Sequence, residues 1–300
     1  MAYDAKGWVT VAHIQRRGSK RWVARYADPE GLEKAKSFAK KSDAEKFLAS
    51  AQHAIRVGGY VDPALGRLVV REWAAQWLAA QGHLKPAARE RYASTLRTHV
   101  LPRWSGVSLG NVGHAAVQEW CSTLATTSSP SAAIKAHRVL SLLLDLAVKD
   151  GRLVRNPAHG VSLPRLAQAD RRYLTHDQVF DLAEAAGRYR PAVLFLAYTG
   201  CRFGEMAALR VYRIDPLRRR VEIAESVTAV NGRLEWGTPK GHERRWVSVP
   251  RFVADELAAA VADKPADALV FTSPHGAPLR ASNFRRDIFT PATRTAGYWE

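Results

Sequence analysis

Tyr198-Thr-Gly-Cys-Arg-Phe-Gly-Glu-Met-Ala-Ala-Leu209 is the stretch from which the rest of the chain can be read. An apolar run from Ala192 to Tyr198 leads into it and reaches Gly200. A glycine there predicts a helix end, because Gly takes the left-handed cap conformation without a Cβ clash. Arg202 then falls on the turn into a second, short helix, with Glu205 three residues on and Ala208 and Leu209 continuing its apolar face. An arginine held on a tight turn is placed to receive an anion, since its planar guanidinium grips two phosphate oxygens at once. Glu205 can steady that turn by accepting backbone N–H bonds or the guanidinium itself.

Thr199, Gly200, Arg202, Glu205 and Leu209 make this stretch similar to the first catalytic box of the tyrosine recombinases, the phage integrase family, in which Thr-Gly-x-Arg-x-x-Glu precedes an alanine/leucine helix. Length and composition are compatible. Three hundred residues suggest two or three domains. An apolar fraction of 47% with nine tryptophans suits packed cores rather than disorder. No apolar run approaches a membrane span and the N-terminus lacks a signal-peptide core, so a cytoplasmic protein is expected. Cys121 and Cys201 make neither a disulfide framework nor a metal-ligand spacing, and no cofactor or metal is expected. Cys201, beside Arg202, reads more readily as a packed thiol than as a reactive thiolate.

The net charge is +17. The excess is five charges over residues 1–66, eight over 67–165 and four over 166–300. A basic tail would concentrate the charge, whereas a body basic in every segment suits wrapping around a polyanion, above all duplex DNA. An RNA-associated protein would share that balance, but would leave Arg202 and Glu205 without a role.

Three strands are predicted over residues 8–38: Trp8 to Ile14, Arg21 to Tyr26 and Lys34 to Phe38. In the second, Trp22, Ala24 and Tyr26 alternate with Arg21, Val23 and Arg25. Asp28-Pro-Glu-Gly31 has the residues of a type I turn. Ser42 and Glu45 read as a capping box for a helix burying Phe47, Leu48, Ala51 and Ile55. A sheet with Arg21 and Arg25 on its open face can enter a major groove, and the same pattern also suits a solvated basic face. Gly58 to Gly66 reads as a linker. Residues 67–155 read as four helices, with apolar stripes through Trp73 and Trp77, through Tyr92, Leu96 and Val100, through Val117, Trp120 and Cys121, and along Ser131 to Val148. Arg89, Arg91, Arg97, Lys135 and Arg138 lie off those stripes. Asn156 to Asp170 reads as a second linker. Thr175 and Gln178 then cap a helix, Asn231-Gly232 marks a hairpin, Leu269 to Phe271 reads as a short strand, and Ser282 to Gly297 as a helix bent at Pro291.

The fold class expected is therefore α+β and mainly helical. The resemblance implies an arm-site DNA-binding domain at 1–60, a helical core-binding domain at 67–157 and a catalytic domain at 170–300 without its C-terminal part. It also implies a site-specific recombinase acting by phosphotyrosine strand exchange on DNA attachment sites, tetrameric in a full-length form. A tyrosine attacks the scissile phosphate, cations stabilise the charge on its oxygens, and a 5′-hydroxyl later displaces the tyrosine. Arg202 and Lys240, in Thr-Pro-Lys240 after the hairpin, take the catalytic roles, with Glu205 in support and Arg244 and Arg245 among the DNA contacts. Three His-x-x-Arg matches (His13/Arg16, His53/Arg56 and His242/Arg245) lie away from the family's second box, which is expected beyond residue 300. Tyr298 precedes that box, so no nucleophile is expected in this chain and it should be inactive alone. The alternative is a non-catalytic DNA-binding short form that occupies attachment sites or regulates an intact recombinase.

Overall fold

The computed structural model describes residues 12–18, 21–166, 173–239, 241 and 243–298. The chain divides into two compact units, residues 1–84 with 91–167 and residues 85–90 with 168–300. The class is α+β, with small antiparallel sheets set among many helices.

The first unit contains two separate apolar cores. One lies under an antiparallel sheet of β1 (His13–Arg17), β2 (Arg21–Ala27) and β3 (Glu33–Phe38), backed by α1 (Lys41–Arg56). Ala24 and Tyr26 of β2 meet Ala44, Leu48 and Ala51 of α1, so the strand period of two and the helix period near four share one apolar face. The turn between β2 and β3 forms on Asp28, whose carbonyl accepts the Gly31 N–H and whose carboxylate accepts the Leu32 N–H. Of the expected first strand, residues 8–11 lie outside those described, and β1 runs on past Ile14 to Arg17. Two expectations need correction. The cap of α1 is Lys40, with no side-chain bond; Ser42 is already helical, two residues too deep for its hydroxyl to cap. The Arg21, Val23, Arg25 face is not open: Val23 is buried and Arg25 is paired to Glu33 at 2.5 Å.

The second core is built by α2 (Val70–Ala79), α4 (Leu101–Trp104), α5 (His114–Thr127) and α6 (Pro130–Lys149), with Tyr92 of α3 (Pro86–Thr95) packed against it. Trp73, Trp77, Trp104 and Trp120 are buried there against Leu140, Leu143 and Leu144. Fully burying a Leu-sized side chain contributes roughly 1.5–3 kcal/mol, so this helical part has ample driving force of its own. Between α3 and α4 the helix widens into one π turn, Leu96–Val100, closed by the Leu101 N–H on the Leu96 carbonyl. Pro102 follows immediately. Proline has no N–H and crowds the carbonyl four residues back, and the wider turn relieves both problems.

The segment expected to start the second linker packs instead. Asn156 is buried, its amide donating to the Ser141 carbonyl (3.0 Å) and to Asp145 Oδ1 (2.7 Å) while its oxygen accepts the Ala158 N–H (2.8 Å). Ala158 and Val161 join the helical core.

In the second unit α7 (His176–Ala185) starts on the expected box, with Thr175 Oγ1 accepting the Gln178 N–H and Gln178 Oε1 accepting the Thr175 N–H. It packs on α8 (Arg190–Thr199), which leads into α9 (Phe203–Ala207). A sheet of β4 (Ile214–Asp215), β5 (Arg220–Ile223) and β8 (Arg245–Ser248) follows, along with a hairpin of β6 (Ser226–Val230) and β7 (Arg233–Gly237). Asn231 and Gly232 turn that hairpin with φ of 49° and 77°, the left-handed pair such a turn demands. Then come α10 (Arg251–Val261), α11 (Ala281–Phe284) and α12 (Thr290–Thr295). Leu269 to Phe271 makes only an isolated bridge from Leu269 to Arg210, because the carbonyls of Leu269 and Val270 accept from Lys264 Nζ instead. The last helix is widened by a π turn, Arg285–Phe289, just ahead of Pro291, repeating the solution found at Pro102.

Replacing Asn156 with alanine removes a buried donor–acceptor set and leaves the Ala158 N–H without its partner. The expected loss is about 1–3 kcal/mol. It should be read as a lower urea midpoint at unchanged m-value.

Candidate active site around Arg202

Gly200 ends α8 at φ 64°, as the sequence indicates, and the chain reverses within two residues. Thr199 Oγ1 donates to the Phe195 carbonyl and accepts the Cys201 N–H, fixing the exit path. Arg202 is the residue immediately before α9, extended at φ −73° and ψ 150°, with 59% of its side chain exposed. Directly behind it lies Glu205, whose side chain is 1% exposed.

Four donors converge on this one carboxylate. Glu205 Oε2 accepts the Arg202 N–H at 3.0 Å, which satisfies one of the orphan donors at the start of α9. Oε1 accepts from an Arg202 guanidinium nitrogen at 3.1 Å. Arg245, at the start of β8, donates to both oxygens, at 3.1 Å to Oε1 and 2.5 Å to Oε2. Burial by itself would push the Glu205 pKa up. The hydrogen bonds from Arg245, from the Arg202 backbone and from the Arg202 side chain outweigh it and hold the carboxyl below its ordinary value.

The neighbourhood is tight on the hairpin side. A Cβ built on Gly204 would stand 2.7 Å from Ser226 Oγ and 2.8 Å from the Val227 carbonyl oxygen. Glycine at this position lets α9 lie directly against β6. The strand β7 that leads toward Lys240 therefore belongs to a hairpin seated on the Arg202 turn. Lys240 and His242 lie outside the described residues.

Cys201 is buried, and burial pushes its thiol pKa up, with hydrogen bonding from Thr199 and the Arg245 charge only partly opposing. Cys121 is pushed up to about 11 by burial. Both are packed thiols. The hydroxyl of Tyr298 donates to Asp181 of α7 at 2.8 Å. Arg244 is exposed, whereas Arg245 is spent on Glu205 through both terminal nitrogens. Arg21 is exposed, as are Arg89, Arg91, Arg97, Lys135 and Arg138 on α3, α6 and the π turn. The pairing of Arg245 with Glu205 spans 40 positions and leaves no local pattern to find it by. Gly204, a glycine at the second position of a short helix, was the one visible sign of the close approach. Among the described residues no group of three or more His, Cys, Asp or Glu side chains could hold a metal ion, and no helix is long and apolar enough to cross a membrane.

Gly204→Ala should destabilise the second unit by about 1–3 kcal/mol, since a backbone carbonyl cannot yield to the new methyl; thermal unfolding reads it. The depressed Glu205 pKa makes a separate prediction. Its contribution to stability is fully present above the unfolded carboxyl's ordinary 4.5 and is lost as pH falls through the lower folded value. Urea midpoints measured from about pH 6 down to pH 3 should fall less steeply in Glu205→Gln than in the wild-type chain.

No family model matches the chain. It is similar to the integrase of Mycobacterium phage D29, with 26% identity over 307 residues covering 96% of this chain and 80% of that one. The integrase of Mycobacterium phage L5 is 25% identical over 302 residues, covering 94% and 80%. Among solved structures, the Tn1549 transposon integrase in complex with transposon right end DNA superposes with a TM-score of 0.64 at 17% identity, over 72% of this chain and 75% of that one. A lambda integrase dimer bound to a COC′ core site gives 0.60 at 15% identity, over 96% and 81%, and the lambda integrase tetramer bound to a Holliday junction gives 0.59 at 15%, over 96% and 85%. The solved structures share the fold, and the phage relatives align across nearly the full chain; in sequence the chain is similar to phage integrases, and its fold is the one these solved integrases share.

Proposed function

We propose that this protein is a phage-type integrase that works by phosphotyrosine strand exchange at DNA attachment sites, with Arg202 as a ligand of the scissile phosphate. The observation that carries the reading is the Arg202 turn: an exposed guanidinium on the step between two helices, backed by a buried carboxylate that fixes its backbone. Such a group is preorganised, and little ordering remains to be done when the phosphate arrives. Lys240 is the proposed acid for the leaving 5′ oxygen. Its hairpin is seated on the same turn through Gly204, which supports a convergence of the two cations on one phosphate.

Residues 1–60, with Arg21, are the proposed arm-site module, residues 67–157 the core-binding module, and residues 170–300 the catalytic module. Arg89, Arg91, Arg97, Lys135, Arg138 and Arg244 are the proposed backbone contacts, all exposed and all on a strongly basic chain. The proposed partner is duplex DNA, with self-association to a tetramer on it, in the cytoplasm. Double-stranded DNA as partner draws support from relatives solved on DNA, one of them a tetramer on a Holliday junction.

The 300 residues on their own are proposed not to cleave DNA. Tyr298 is engaged with Asp181 on α7, and Arg245 of the His242-x-x-Arg245 match is turned onto Glu205 through both terminal nitrogens. A DNA-occupying role without catalysis is the second reading, supported by the same engagement of Tyr298.

Anisotropy with a duplex from an attachment region, across a salt series, tests the DNA reading. Affinity should fall by about 10³ or more between 50 and 200 mM salt if six or more phosphates are neutralised; a nearly flat response would remove phosphate contact as the main source of binding. On a suicide substrate the chain should leave no phosphotyrosyl adduct, and Tyr298→Phe should behave like wild type. An adduct on Tyr298 would show that the site is complete after all.

A further inference from the structure

Arg245 has no part in the scheme above beyond its place among the sequence-predicted DNA contacts, yet it makes the closest contact in the site. Its guanidinium nitrogens lie 3.1 and 2.5 Å from the two oxygens of Glu205, the geometry of a two-pronged arginine–carboxylate pair. Glu205 is almost wholly buried, and it also holds Arg202 through the backbone N–H and one guanidinium nitrogen. We infer that Arg245 is a positioning residue of the phosphate site, neutralising the buried Glu205 so that Arg202 keeps its outward donors and its charge for a phosphodiester.

The charge count carries the argument. Glu205 alone would cancel Arg202, because a buried carboxylate draws the nearest guanidinium into a full pair. With Arg245 also on that carboxylate, the three side chains carry one net positive charge, and the exposed member is Arg202. Side-chain exposure grades the same way, 59% for Arg202 against 38% for Arg245. Arg245 is placed for this by β8, whose first residue pairs with Ile223 of β5, so a strand rather than a mobile loop sets its distance from α9. The neighbouring Arg244 is exposed and has no such partner in the hydrogen bonds that fix this turn.

The inference rests on the reading of Arg202 as a phosphate ligand, and the test separates the two. The full 300-residue chain is titrated with inorganic phosphate while the Arg202 Nε–Hε NMR signal, assigned with Arg202→Ala, reports binding at that residue. In wild type the signal should shift saturably. In Arg245→Ala the phosphate affinity read there should fall at least about tenfold, the scale of one charge-assisted hydrogen bond. Adding Glu205→Gln to Arg245→Ala should bring it back to within about threefold of wild type, because no carboxylate is left to cancel Arg202. Arg245→Lys, which keeps the charge but loses the two-pronged fork, should lose less affinity than Arg245→Ala, and Arg245→Gln, which removes the charge, serves if the alanine variant does not fold. No response in wild type would sink the Arg202 reading itself. A normal wild-type response that persists in Arg245→Ala overturns the positioning role alone. A loss in Arg245→Ala that Glu205→Gln does not restore, or an equal loss in Arg245→Lys, overturns it too, since Arg245 would then act on the phosphate directly or only on the fold.

Discussion

One buried carboxylate sets the terms for the second unit of this protein. Glu205 sits at the start of a five-residue helix too short to hold itself, and it accepts bonds from the preceding backbone and from two arginines on different elements. The strand carrying Arg245, the turn carrying Arg202 and the end of α8 are thereby tied to a single point. A buried charge of this kind is costly to strand: breaking such a pair by removing one partner costs roughly 3–5 kcal/mol. The geometry of Arg202 is therefore coupled to the integrity of the surrounding fold, which is the condition for a rigid anion site.

Around that point the packing is unforgiving in some places and loose in others. α9 meets β6 at backbone distance through Gly204, and Val193, Leu194, Phe195 and Met206 lie in one core with Val221 and Ile223. The arginines on the helical part are exposed by comparison and sit on surfaces whose interior is tryptophan and leucine. Rigid interior and charged exterior answer different physical needs: one fixes reacting groups to within fractions of an ångström, the other supplies a field that need only be basic.

Much of this is legible in the sequence wherever the determining contacts are local. Gly200 marks the end of α8, Thr175 and Gln178 open α7, and Asn231-Gly232 turns the hairpin, each through chemistry contained within a few residues. The stripes of Trp73 and Trp77 or of Val117, Trp120 and Cys121 likewise follow from periodicity. What escaped was decided at a distance or by competition. Ser42 loses the cap because the helix begins two residues earlier than a Ser42 cap would start it, at Lys41. Leu269 to Phe271 has strand-like residues, but Lys264 takes the carbonyls a neighbouring strand would need. Asn156, read as the start of a linker, proves to be a buried clasp because its partners lie 11 and 15 residues back on α6. Arg245 looked like one more surface cation, and only the sheet register reveals where it points.

The segment after α1 bears on how the proposed arm and core modules would share one DNA. By composition, Gly58 to Gly66 looks like a loose tether. Its first part is fastened: the Tyr60 hydroxyl lies 3.0 Å from that of Tyr26, and Lys34 Nζ donates to Asp62 at 2.6 Å. Its far end is fastened too, since Gly66 lies against the backbone of Gly110 with space only for ordinary contact. Between those anchors residues 63–65 are folded as well: the Ala64 N–H donates to Asp62 Oδ1 at 2.8 Å, the Leu65 N–H donates to the Asp62 carbonyl, and Leu65 opens a tight helical turn. A connection that short and that firmly folded raises the effective concentration of the second module steeply for a site within its span and drops it to nearly nothing beyond. The separation between two DNA sequences would then count as much as the sequences themselves.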